Sequence, residues 1–117
     1  MPASNILLTP EEKLSVTLWV NQFELSTSVK KLSRDLSDGV LVAEILHQLF
    51  PRMVDMHNYT RGFSNARKLD NWNTLNRKVL KKLDIYLSDP MIQSVSHEEP
   101  GTIEAILFEI MMKVYNY

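Results

Sequence analysis

Apolar residues recur at three-to-four spacing in several stretches of the chain, and the three glycines and five prolines fall between them, where helices begin or stop. The pattern predicts a mainly helical chain with short connections. Thr9-Pro10-Glu11-Glu12 has the form of a capping box, with Thr9 as N-cap, Pro10 at the first helical position and Glu12 at the third. The helix it opens carries Leu14, Leu18, Trp19 and Phe23 on one side and is expected to end near Phe23. Residues 24–37 are more polar, with Leu25, Val29, Leu32 and Leu36 spaced to tuck a loop and a helical turn onto the core. Ser37 or Asp38, just before Gly39, can accept from the free amides of a following helix. That helix holds Val40, Leu41, Val42, Ile45, Leu46, Leu49 and Phe50 before Pro51 stops it, and so wide an apolar arc places it at the centre of the fold.

Residues 52–63 carry Met53, Val54, Met56 and Tyr59 without a clean period and read as an ordered loop with at most one helical turn. Ser64 then opens a long helix expected to run to about Leu83. A shorter helix starts at Ser88-Asp89-Pro90 and carries Met91, Ile92 and Val95. Pro100-Gly101 breaks the chain before a last helix marked by Ile103, Ile106, Leu107, Ile110, Met111 and Val114. The expected fold is all-α, a compact bundle of four main helices plus one or two short ones, built as a single domain over residues 1–117.

The long helix separates its residue types. At about 100° per residue, Leu69, Trp72, Leu75, Val79, Leu80 and Leu83 fall within an arc of roughly 140°, which is a core face. Arg67, Arg77, Lys78, Lys81 and Lys82 fall almost directly opposite, with Asp70 the one acid among them. The whole-chain balance of 13 Lys+Arg against 14 Asp+Glu conceals this stripe. Residues 28–82 hold 11 bases and 5 acids, a net of +6, whereas residues 83–117 hold 1 base and 6 acids, a net of −5. Such a separated field turns a domain toward an acidic partner, through a contact that weakens as salt rises.

Other chemistry finds little support. The absence of cysteine removes disulfides, thiolate metal sites and a cysteine nucleophile. The longest apolar runs, Val40 to Ala43 and Ala105 to Phe108, are four residues each, far short of the roughly 20 that cross a bilayer. The N-terminal Met-Pro-Ala-Ser-Asn carries no basic and apolar export signal, so the sequon Asn58-Tyr59-Thr60 is not expected to be glycosylated. His47, His57 and His97 form no helical ligand pair, and Asp35 and Asp38 lack the alternating oxygens of a calcium loop, so no metal is expected and the two acids read as capping and loop-ordering groups. There is no phosphate-cradling glycine loop, nucleophile elbow or recognisable acid/base carboxylate pair, so neither a cofactor nor an enzymatic activity is expected. Trp19 and Trp72 sit at helical spacing on apolar faces, as core residues do. Nucleic acid is disfavoured by a pI near 6.3 and by the lack of aromatics within the basic stripe.

Two segments carry a family resemblance. Leu32-Ser33-Arg34-Asp35-Leu36-Ser37-Asp38-Gly39-Val40-Leu41-Val42-Ala43-Glu44-Ile45-Leu46 looks like the central helix of calponin-homology domains, and Lys68-Leu69-Asp70-Asn71-Trp72-Asn73-Thr74-Leu75 continuing to Leu83 is the second motif. With Phe50-Pro51-Arg52-Met53-Val54-Asp55-Met56-His57-Asn58-Tyr59 and Pro100-Gly101, the chain resembles the subgroup of the sperm flagellar protein 1 family, also called calponin-homology and microtubule-associated protein, over about residues 12–115. Actin-binding calponin-homology domains usually carry an Asp-Ile-Val-Asp-Gly-Asn loop and a Leu-Gly-Leu-Ile-Trp helix, where this chain reads Asp84-Ile85-Tyr86-Leu87-Ser88-Asp89-Pro90-Met91.

The resemblance therefore implies association with microtubules in the cytoplasm, at the axoneme of a cilium or flagellum, through acidic tubulin. It implies a contact surface of Arg67, Lys68, Arg77, Lys78, Lys81 and Lys82, joined by Lys30, Lys31 and Arg34, while the spacing and capping pattern itself sets Trp19, Asp38, Gly39, Leu41, Leu69, Trp72 and Leu80 as fold residues. Family members continue into a C-terminal coiled coil, so dimerisation is expected to lie outside these 117 residues, which would form the N-terminal domain of a longer protein. The rival readings are an actin-binding or adaptor domain, and an interaction domain that uses Met53, Met56, Tyr59 and Phe63.

Overall fold

Thr9 starts the first helix as its neighbours dictate: its hydroxyl accepts from the Glu12 amide at 3.1 Å, and Glu12 Oε1 accepts from the Thr9 amide at 2.9 Å. The computed structural model describes residues 8–115, so the N-terminal segment read above for an export signal lies outside the described residues. In chain order the helices are α1 (Pro10–Val20), α2 (Leu32–Asp35), α3 (Val40–Leu49), α4 (Asn65–Lys78), α5 (Asp89–Ser96) and α6 (Thr102–Val114), with 3-10 turns at Met56–Asn58 and Leu80–Leu83. Among the described residues there is no strand. Four longer helices and two short ones make the all-α bundle that the periodicity predicts, and its radius of gyration of 12.8 Å is that of a compact fold.

The centre is α3, whose Leu41, Val42, Ala43, Ile45 and Leu46 are all buried. Asp38 begins it by accepting from the Val40 amide at 3.0 Å, while Ser37 instead donates to the Arg34 carbonyl. Between them and the helix, Gly39 adopts φ +79, and a Cβ there would stand 3.4 Å from the Trp72 ring. Trp72 is fully buried against this turn and donates its indole N–H to the Ser37 carbonyl at 2.8 Å. On the other side of the core Trp19 packs edge-on to Phe23, with ring centroids 5.2 Å apart, and donates to the Tyr115 hydroxyl at 2.9 Å. That bond ties α1 to the end of α6.

Three expectations need correction. First, α1 ends at Val20, with Asn21 as its C-cap, and Phe23 lies on the turn beyond it. The inner face of α1 is Val16, Trp19 and Val20, so Leu14 and Leu18, about half a helical turn away, are 59% and 56% exposed. Second, the long helix is not continuous to Leu83: Val79, at φ −120 and ψ −57, ends α4, and a 3-10 turn follows. At three residues per turn Leu80 and Leu83 align, so both stay buried while Lys81 and Lys82 face outward. Third, the inner face of α4 is shifted, with Lys68, Asn71, Trp72 and Leu75 buried and Leu69 only partly so.

Candidate functional site

Helix α4 is anchored by two asparagines. Asn71 donates its amide to the carbonyls of Asp38 (2.9 Å) and Thr60 (2.7 Å) and accepts from the Thr60 amide at 3.2 Å. Asn76 exchanges a pair of bonds with the Leu87 backbone, at 3.0 and 2.9 Å. Both make side-chain bonds of the kind that close a loop onto a helix, and so fix the loop before α4 and the segment after it relative to the helix. Ser64 caps the start of α4 by accepting from the Arg67 amide.

At the far end of α4 an open groove of about 740 Å³ lies between the loop around the Met56–Asn58 turn and the junction of α4 with its following 3-10 turn. Arg77, Lys78, Lys81 and Lys82 line one side, and Met53 and Tyr59 line the other. The four bases are exposed, and none makes an ion pair among the described residues. Asp55 is the one acid in the groove; the His57 amide and ring hold its carboxyl below the usual range, and Lys78 adds to the effect. Burial pushes the Tyr59 phenol up to about 12, against the pull of Arg77, so it stays neutral.

The remaining expected contact residues lie elsewhere. Lys68, expected at the contact surface, is only 8% exposed: its ammonium donates to the Ser96 carbonyl and to Glu98 Oε2, both at 3.3 Å. Arg34 pairs with Asp35 at 3.0 Å, and both line a second hollow of about 450 Å³ together with Lys68, Glu98 and the fully exposed Phe63. The bond from Arg34, with the backbone amides of Lys31 and Lys30, lowers the Asp35 pKa to about 2. Lys30 and Lys31 are exposed on the loop entering α2, and Arg67 is exposed in the first turn of α4, about 15 Å along the axis from Arg77. The structure thus gathers four of the nine bases around one groove and leaves the others in different surroundings.

The apolar loop residues divide in the same way: Met53 and Tyr59 join the basic groove, Met56 packs partly on the core, and Phe63 belongs to the second hollow. Sequence periodicity could not associate Met53, Asp55 and Tyr59 with the bases, because residues 52–63 carry no regular spacing. Among the described residues no group of three potential ligands is placed to hold a metal, and no helix is long and apolar enough to cross a membrane. His47 and His97 are spent on carbonyls, those of Val54 at 3.0 Å and Gln93 at 2.6 Å.

Residues 16–112 match the family described as a CH-like domain in sperm protein. Sperm flagellar protein 1 of Homo sapiens is 44% identical over 97 residues, which cover 83% of this chain and 41% of that protein. The Mus musculus protein of the same name is also 44% identical over 97 residues, 83% of this chain and 42% of that protein. The Xenopus laevis one is 42% identical over 96 residues, 82% of this chain and 42% of that protein. The chain therefore spans about two fifths of the length of the curated relatives it matches.

Proposed function

Because the chain belongs to the family of CH-like domains in sperm protein, we propose that it is a non-enzymatic microtubule-binding domain of a flagellum- or cilium-associated cytoskeletal protein. The observation that carries this reading is the groove end of α4, where Arg77, Lys78, Lys81 and Lys82 are exposed together and unpaired among the described residues. Four exposed cations that make no ion pair among the described residues raise the local concentration of an acidic surface and have no such pair to break on meeting it. Arg67 extends the basic face toward the other end of α4, and Lys30 and Lys31 supply secondary contacts. Lys68 and Arg34, matched by Glu98 and Asp35, are left out of the contact set. Residues 1–117 then act as one domain of a longer polypeptide whose other segments dimerise, and it acts at the axoneme.

Co-sedimentation with microtubules and, in parallel, with actin filaments at two salt concentrations tests this. The expected outcome is microtubule pelleting that weakens as salt rises, no actin pelleting, and a loss of at least about tenfold in affinity for the variant Arg77→Glu, Lys78→Glu, Lys81→Glu, Lys82→Glu with an unchanged helical spectrum. A folded quadruple variant that pellets like the parent overturns the site, and pelleting with actin alone overturns the partner.

A further inference from the structure

We infer that the groove beside Lys81 and Lys82 receives an extended, carboxylate-rich peptide segment that seats one apolar side chain between Met53 and Tyr59. The inference rests on the reading of this face as the microtubule contact surface, and it names the part of a partner that enters it. Shape is the first reason. The hollow of about 740 Å³ is open rather than enclosed, so an extended segment can lie in it without threading an entrance.

Charge is the second reason. Arg77, Lys78, Lys81 and Lys82 stand along one wall, so a run of carboxylates meets several cations there. The composition of the opposite wall decides between a peptide and a small polyanion. Met53, only partly buried, offers an adaptable thioether, and the small accessible edge of the otherwise buried, neutral Tyr59 ring lies beside it, a surface that favours an apolar side chain. An inositol polyphosphate would instead meet methionine and the Asp55 carboxylate where it needs donors. A peptide brings backbone N–H groups, and one of these gives Asp55 a donor while the side chains face the bases.

The test uses fluorescence anisotropy with the full chain and two labelled probes, a peptide of eight glutamates and the same peptide with one central glutamate replaced by phenylalanine. The phenylalanine peptide is expected to bind at least about tenfold tighter despite its lower charge, since burying such a side chain is worth that much. Met53→Ser should remove the preference and leave glutamate-peptide binding within about twofold, and Lys81→Glu with Lys82→Glu should weaken both probes at least about tenfold, each variant checked for an unchanged helical spectrum. Equal binding of the two probes, binding of neither, or displacement only by inositol hexakisphosphate overturns the inference. Microtubule pelleting of the same preparation separates the two claims: pelleting without peptide preference defeats only the groove ligand, and peptide preference without pelleting defeats only the filament reading.

Discussion

Replacing Trp72 by alanine is expected to cost about 3–5 kcal/mol in urea denaturation, because a fully buried indole leaves a cavity against the α3 turn. Trp72→Phe should cost about 1–3 kcal/mol, since it leaves the buried Ser37 carbonyl without its donor. Asn71 behaves similarly at smaller volume: Asn71→Ala removes the donor shared by the Asp38 and Thr60 carbonyls and frees the loop that carries Tyr59. Asp35 supplies a pH signature. Its folded pKa of about 2 lies below the 3.8 of an ordinary aspartate, so its contribution is complete above about pH 4 and fades as pH falls toward 2. Asp35→Asn should flatten that part of a plot of Tm against pH.

The helix starts were legible in the sequence because a cap is a local device. Thr9, Ser64 and Ser88 each accept from an amide in the following turn, as their spacing predicts. Ser64→Ala is accordingly expected to lower stability by about 1 kcal/mol, read from the denaturation midpoint, with microtubule binding unaltered. Helix ends and faces were less legible. Four residues at three per turn keep Leu80 and Leu83 inward as well as four at 3.6 do, so periodicity alone could not reveal that α4 stops at Lys78. Asn71, Asn76 and Lys68 read as surface residues by type, and only the carbonyls and the carboxylate brought to them by distant segments explain their inward placement. Leu14 and Leu18 were misplaced for the converse reason: an apolar pair at helical spacing does not say which of two apolar stripes faces the bundle.

Across the whole molecule, a net charge of −1 coexists with an unpaired basic groove because the opposing charges meet elsewhere. Glu98 holds Lys68, Asp84 holds Lys113, Asp38 lies 3.8 Å from Arg61 and Asp35 holds Arg34, so these four of the 14 acids are spent away from Arg77, Lys78, Lys81 and Lys82. Lys68→Met should therefore leave microtubule pelleting within about twofold, whereas reversing Lys81 and Lys82 should reduce it strongly and in a salt-dependent way. The break at Val79 has a practical consequence for anyone seeking an inhibitor. A synthetic peptide copied from residues 65–83 lacks the loop that forms the opposite wall and the buried contacts that hold the 3-10 turn, so it would fan its cations around a free coil or a uniform α-helix. Competitors cut from this stretch would act as generic polycations, and faithful mimicry would require the intact bundle.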